Sequence, residues 1–206
     1  MSLYLSQLVL DPRSRQVQSE LRDPYQMHRT LSKAFGDDAE LYEQARCLFR
    51  VDEAQDGPAT WVLVQSRVAP DWALLQVSDG YLVSPVKMKE VDPALGAGQR
   101  LAFRLRANPT VKRDGKRLGL YREEDQLEWL NRKAGTSGFR LLSVLVRDVD
   151  KAKTSLSEGR EGCFANATFE GVLEVTDPSA FRLALENGIG SAKGFGFGLL
   201  SIAPVR

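Results

Sequence analysis

The stretch DPYQMHRTLSK, residues 23–33, holds His28, the sole histidine in 206 residues. Imidazole is the side chain whose ordinary pKa lets it exchange a proton near neutral pH. Tyr25 lies three residues before it, Arg29 directly after, and Lys33 five residues on. Asp23 is a good N-cap, Pro24 suits the first helical position, and Gln26 stands at a capping-box place, so a helix starts here. Gly36 is placed to end it in a left-handed conformation. At about 100° per residue, Met27, Leu31, Ala34 and Phe35 form the apolar stripe, while Tyr25, His28, Arg29 and Ser32 share the next arc, with Lys33 at its edge. The nearby cations and the positive end of the helix disfavour an extra proton on His28, which would help keep the imidazole neutral and basic, and would draw an anionic substrate. No Asp or Glu shares the arc, and no serine or cysteine elbow accompanies it, which speaks against a triad hydrolase.

A second group of charges lies in QRLAFRLRANPTVKRDGKR, residues 99–117, with seven basic residues against Asp114 alone. The net charge of +1 conceals this asymmetry: residues 1–98 carry 10 Lys and Arg against 14 Asp and Glu, residues 99–206 carry 18 against 13. Residues 100–107 alternate, Leu101, Phe103 and Leu105 on one face, Arg100, Arg104 and Arg106 on the other. That pattern is a strand with one face buried and a row of guanidinium groups opposite. With Lys112, Arg113, Lys116 and Arg117 it forms a patch able to hold a polyanion although the whole chain is nearly neutral.

The third feature is GIGSAKGFGFGLLS, residues 188–201, with five glycines in eleven residues and Lys193 among them. Glycines let backbone N–H groups approach a phosphate. A Walker loop is absent, and a dinucleotide fingerprint would need a strand before the loop and a helix after it, the reverse of the order here. Lys193-Gly194-Phe195-Gly196-Phe197 matches the start of an RNA-binding RNP1 pattern, which fails at Gly198. Glycines alone would also suit a tight helix–strand connection.

The elements that must position these residues repeat. Strands read from residues 3–10, 45–51 and 60–66, the last two around a polar turn at 55–58. A weak turn or helix at 71–77 and a strand near Tyr81–Met88 follow. The second half has a strand at 100–107, a helix at 122–134, strands at 139–149 and 164–175 around a polar loop at 150–162, a helix at 180–186 after an Asp177-Pro178 start, and a strand at 198–202. Each half therefore reads β-α-β-β-(α)-β, which predicts an α+β protein of two tandem ferredoxin-like (RRM-like) domains, antiparallel sheets with helices on one face. The expected divisions are a first domain at 1–90, a linker at 91–98 and a second domain at 99–206.

Cys47 and Cys163 form no CxxC pair and are expected reduced, and too few ligands are present for a zinc site. No apolar run approaches the roughly 18 residues of a membrane span. The start, MSLYLSQLVL, lacks the marks of a signal peptide and reads as a strand, so a cytoplasmic location is expected.

The glycine loop GIGSAKGFGFG before the last strand resembles the C-terminal glycine-rich loop of repeat-associated RNA-binding proteins of CRISPR systems. The start YLSQLVLDPRSR…DPYQMHRTLSKAF, and GQRLAFRLRANPTVKRDGKR followed by a helix and GF, are similar to the CasE-type endoribonuclease, the Cascade subunit that processes CRISPR RNA. The resemblance spans nearly the whole chain. It implies two ferredoxin-like domains and metal-independent cleavage of the repeat hairpin with the product retained. It places the catalytic histidine on His28, its partner tyrosine on Tyr25 and a basic residue assisting at the phosphate on Lys33. It also maps a basic hairpin that enters the RNA stem onto Lys151, Lys153 and Arg160.

The mechanism implied is attack by the 2′-hydroxyl on the adjoining phosphate, giving 2′,3′-cyclic phosphate and 5′-OH ends. Arg29, the arginine strand, Lys112, Arg113, Lys116, Arg117, Gly190, Lys193, Gly194 and Gly196 would hold the RNA. No cofactor or metal is expected. The expected partners are the CRISPR repeat hairpin and, by resemblance, other Cascade subunits including the CasC-type backbone subunit; no membrane or DNA contact is expected of the isolated subunit. A non-catalytic RNA-binding module, or a small-molecule enzyme with an incidental basic strand, would fit the same elements. Cleavage is favoured because Tyr25, His28 and Lys33 adjoin on one helical surface, which binding alone does not require.

Overall fold

A computed structural model describes residues 2–36, 39–53, 60–76, 80–155 and 161–205. Its elements run β1 (Leu3–Leu10), α1 (Arg15–Arg22), α2 (Pro24–Ser32), a 3-10 turn (Lys33–Phe35), α3 (Ala39–Ala45), β2 (Leu48–Glu53), β3 (Thr60–Ser66), α4 (Ala73–Gln76) and β4 (Lys87–Val91). They continue with β5 (Arg100–Ala107), β6 (Thr110–Arg113), β7 (Lys116–Gly119), α5 (Glu123–Thr136), β8 (Phe139–Ser155), β9 (Glu161–Val175), α6 (Pro178–Asn187), a 3-10 turn (Lys193–Phe195) and β10 (Leu200–Pro204).

Two four-stranded sheets result, ordered β2-β3-β1-β4 and β10-β5-β9-β8. Counted along each half, both orders are 2-3-1-4 or its reverse, and the pairings in each sheet that the register defines are antiparallel. This is the ferredoxin-like arrangement that the βαββαβ order predicts. The chain therefore has two tandem ferredoxin-like domains.

The contacts divide the chain between Asp92 and Pro93, and Gly194–Gly196 cluster with the first unit. In that unit Leu8, Leu10, Phe49, Val62 and Val64 from the sheet pack with Met27, Leu31, Ala34 and Phe35, the stripe expected for the histidine helix. In the second unit Leu101, Phe103 and Leu105 of β5 are buried, and Trp129 of α5 stacks on Phe169 of β9 with centroids 6.2 Å apart.

Several elements differ from expectation. Val83–Val86 are not strand, and β4 begins only at Lys87; Pro85 lacks the N–H a central ladder would use. The expected loop at 150–162 is largely strand, with β8 running to Ser155 and β9 starting at Glu161. Polarity alone does not separate a loop from a strand without a buried face. The expected turn at 55–58 and Arg160 lie outside the described residues. Three elements went unpredicted: α1, α3 and the β6–β7 hairpin. Of α1 only Val17 and Glu20 are buried, so its apolar period is faint.

Candidate active site

His28 is carried on α2, whose start is fixed as the sequence suggests. Asp23 Oδ1 accepts from the Tyr25 N–H at 3.1 Å, and Pro24 opens the first turn. The helix ends at Ser32, so Lys33 begins the 3-10 turn, and Gly36 closes it with φ of 75°. Tyr25, His28, Arg29 and Lys33 all line one open cleft of about 900 Å³. Tyr25, Arg29 and Lys33 are exposed, His28 half-buried.

Two neighbours that the sequence reading missed, Phe49 and Tyr42, flank the imidazole. Phe49 of β2 lies parallel to it, Tyr42 of α3 meets it edge-on with centroids 5.8 Å apart, and the Tyr42 hydroxyl is 2.5 Å from Nε2. A Cβ built on Gly194 would sit 3.5 Å from the same nitrogen. Tyr42 escaped notice because it lies on a helix whose own pattern is weak, fourteen residues from His28. Gly196, with φ of 81°, could take no Cβ without pressing on Phe49 at 3.2 Å. Gly194 thus lies beside the histidine, and Gly196 sits so close to its stacking partner that a side chain there would crowd Phe49.

The electrostatics follow from burial. Nδ1 of His28 is buried with no hydrogen-bond partner, and desolvation lowers the imidazole pKa below its ordinary value. Burial, rather than the neighbouring cations, is the cause. Burial also raises the Tyr42 phenol pKa, against an opposing hydrogen bond with Ser32. Both groups are therefore neutral near pH 7. The buried Cys47 thiol is pushed up to about 12 by desolvation, which makes it inert. Among the described residues no group of three or more His, Cys, Asp and Glu is placed to hold a metal ion.

The remaining candidate residues fall into distinct settings. On the arginine face of β5 the register sets Arg100 opposite Glu174 and Arg104 opposite Glu170. Glu170 pairs with Arg104 at 2.6 Å and Arg147 at 3.3 Å; Glu174 pairs with Arg140 at 2.7 Å and Arg100 at 3.7 Å. The guanidinium row is thus half neutralised by its own sheet, a partnership legible in the alternation of β9 once the register is known. Arg106 donates to Asn166 Oδ1 at 3.0 Å and lies 5.4 Å from the Phe197 ring centre.

Lys112, Arg113, Lys116 and Arg117 are exposed on the β6–β7 hairpin, closed by Asp114 and Gly115 with φ of 48° and 76°. Positive φ at both central residues is the turn that suits a two-residue hairpin. Its register sets Lys112 against Arg117 and Arg113 against Lys116, like charge opposite like charge. Lys151 and Lys153 belong to β8, with side chains outside the described ones. Gly190, with φ of 89°, packs against Trp129, and Lys193 opens the second 3-10 turn.

Comparison with known proteins gives a consistent answer. A family described as "CRISPR associated protein" matches residues 3–204. The chain is 38% identical to the CRISPR-associated endoribonuclease Cse3 of Thermus thermophilus, covering 98% of this chain and 100% of that protein. It is 31% identical to the CRISPR system Cascade subunit CasE of Escherichia coli, again over 98% of this chain and 100% of the relative. A solved structure of CRISPR endoribonuclease Cse3 bound to 19 nt RNA superposes with a TM-score of 0.90 at 38% identity, covering 99% of this chain and 100% of that one. By the match along its length, and by these relatives, the chain belongs to the CRISPR-associated protein family of the Cse3 and CasE endoribonucleases.

Proposed function

We propose that this protein is a metal-independent endoribonuclease that cuts CRISPR precursor RNA at the repeat hairpin and retains the mature RNA, acting in the cytoplasm with other Cascade subunits. One observation carries this reading. A neutral imidazole with one nitrogen sealed off lines the same open cleft as Tyr25, Arg29 and Lys33.

The 2′-hydroxyl beside the scissile phosphate gives its proton to Nε2 of His28, and its oxygen bonds to phosphorus as the bond to the 5′-oxygen breaks. The products are a 2′,3′-cyclic phosphate and a 5′-hydroxyl end. Help of this kind is worth about 10²–10⁴-fold in rate. Lys33 and Arg29 stabilise charge growing on the phosphoryl oxygens, and Tyr25 positions the ribose. The departing 5′-oxygen takes its proton from Lys33, Tyr25 or water.

The β6–β7 hairpin supplies four cations that no ion pair engages among the described residues, so they are the first candidates to grip the RNA backbone. Arg100 and Arg104 reach RNA only by sharing or surrendering Glu174 and Glu170. The test is incubation of repeat hairpin RNA in EDTA with wild type and His28→Ala. The reading expects cutting by wild type alone, with binding retained by both. Equal cutting by both removes the catalytic assignment.

A further inference from the structure

Only one nitrogen of His28 can meet a substrate. Nδ1 is buried, and Phe49 covers one ring face. Nε2 remains, and it is engaged by the Tyr42 hydroxyl. Tyr42 is held there from α3, and the neighbouring Ser32 Oγ donates to the His28 carbonyl at 2.6 Å. The phenol is half-buried, yet it lines the open cleft.

We propose that the Tyr42 hydroxyl is a place-holder for the ribose 2′-hydroxyl, occupying the working nitrogen of His28 until RNA displaces it. The inference rests on His28 as the base. It assigns Tyr42 no proton transfer in the reaction; its part is to control access to Nε2. The chemistry of the pair supports this. The exchange replaces one hydroxyl by another at Nε2 and leaves the number of hydrogen bonds there unchanged. The phenol stays protonated near neutral pH, so it does not compete with His28 as a base.

The consequence is that Tyr42 competes with substrate. Tyr42→Phe keeps the ring and removes only the competing oxygen. It raises kcat/KM for the repeat hairpin about three- to tenfold, the worth of one net hydrogen bond. In the RNA-free protein the same substitution moves the Nε2 resonance of His28, which is readable without assignment because no other histidine is present. A misfolded variant cannot produce a faster enzyme. An unchanged or lower kcat/KM in a variant that melts like wild type overturns the proposal, as does an unmoved Nε2 resonance. Failure of the base reading is distinct: there His28→Ala cuts as fast as wild type, whatever Tyr42→Phe does.

Discussion

The imidazole of His28 and the ring of Phe49 are stacked, with centroids 6.2 Å apart and planes 19° from parallel. Phe49 is fully buried on β2, so the histidine rests against the sheet that the helix covers. This contact desolvates the ring on one side and leaves the cleft edge for chemistry. Phe49→Ala is expected to admit water beside the ring and bring its pKa back toward the ordinary 6.5, at a stability cost of about 3–5 kcal/mol for a buried phenylalanine. Titration of the single imidazole by NMR, with a melting curve alongside, checks both effects.

The lowered pKa of His28 has a stability consequence with a definite sign. The unfolded chain takes up the proton at a higher pH than the folded one, so stability is full above about pH 6.5 and falls as pH drops below it. His28→Gln removes this contribution. Melting temperatures of wild type and variant are expected to diverge between pH 7.5 and pH 5, wild type losing more; parallel curves contradict the account.

Much of this site was legible in the sequence, for reasons that particular residues make plain. Asp23 and Pro24 fix the start of α2, and a 3.6-residue period then sets Met27, Leu31, Ala34 and Phe35 inward and His28 beside them, as found. The alternation of residues 100–107 gave the buried face of β5 just as directly. What local patterns cannot carry is contact between distant segments. Tyr42, Phe49 and Gly194 reach His28 through tertiary packing, and Glu170 and Glu174 reach the arginines through sheet register. The two-residue turn at Asp114-Gly115 was a readable hairpin signal that the run of positive charge obscured.

The hairpin itself provides a prediction in which binding and stability move in opposite directions. Like charges directly across an antiparallel pair are destabilising. Lys112→Gln with Arg117→Gln is expected to weaken RNA binding and reduce the salt dependence of log K by about one per lost phosphate contact. The same pair of substitutions should leave the melting temperature unchanged or higher. A steady salt slope would remove the hairpin from the RNA interface.

The two loop glycines nearest the histidine should respond differently to alanine. At Gly194 a methyl fits without strain but lies 3.5 Å from Nε2, so the fold persists and cleavage falls. At Gly196 a positive φ adds roughly 1–2 kcal/mol of backbone cost to the crowding of Phe49, so stability falls as well. Single-turnover cleavage beside thermal melting of each variant separates the two effects.

The most direct measurement is the pH dependence of single-turnover cleavage, set beside the NMR titration of His28 in the RNA complex. If this imidazole accepts the ribose proton, the rate falls on the acid side with unit slope, at the pKa of that ring in the complex. A rate that passes through the ring's titration without bending, or an acid limb that survives in His28→Ala, would contradict it.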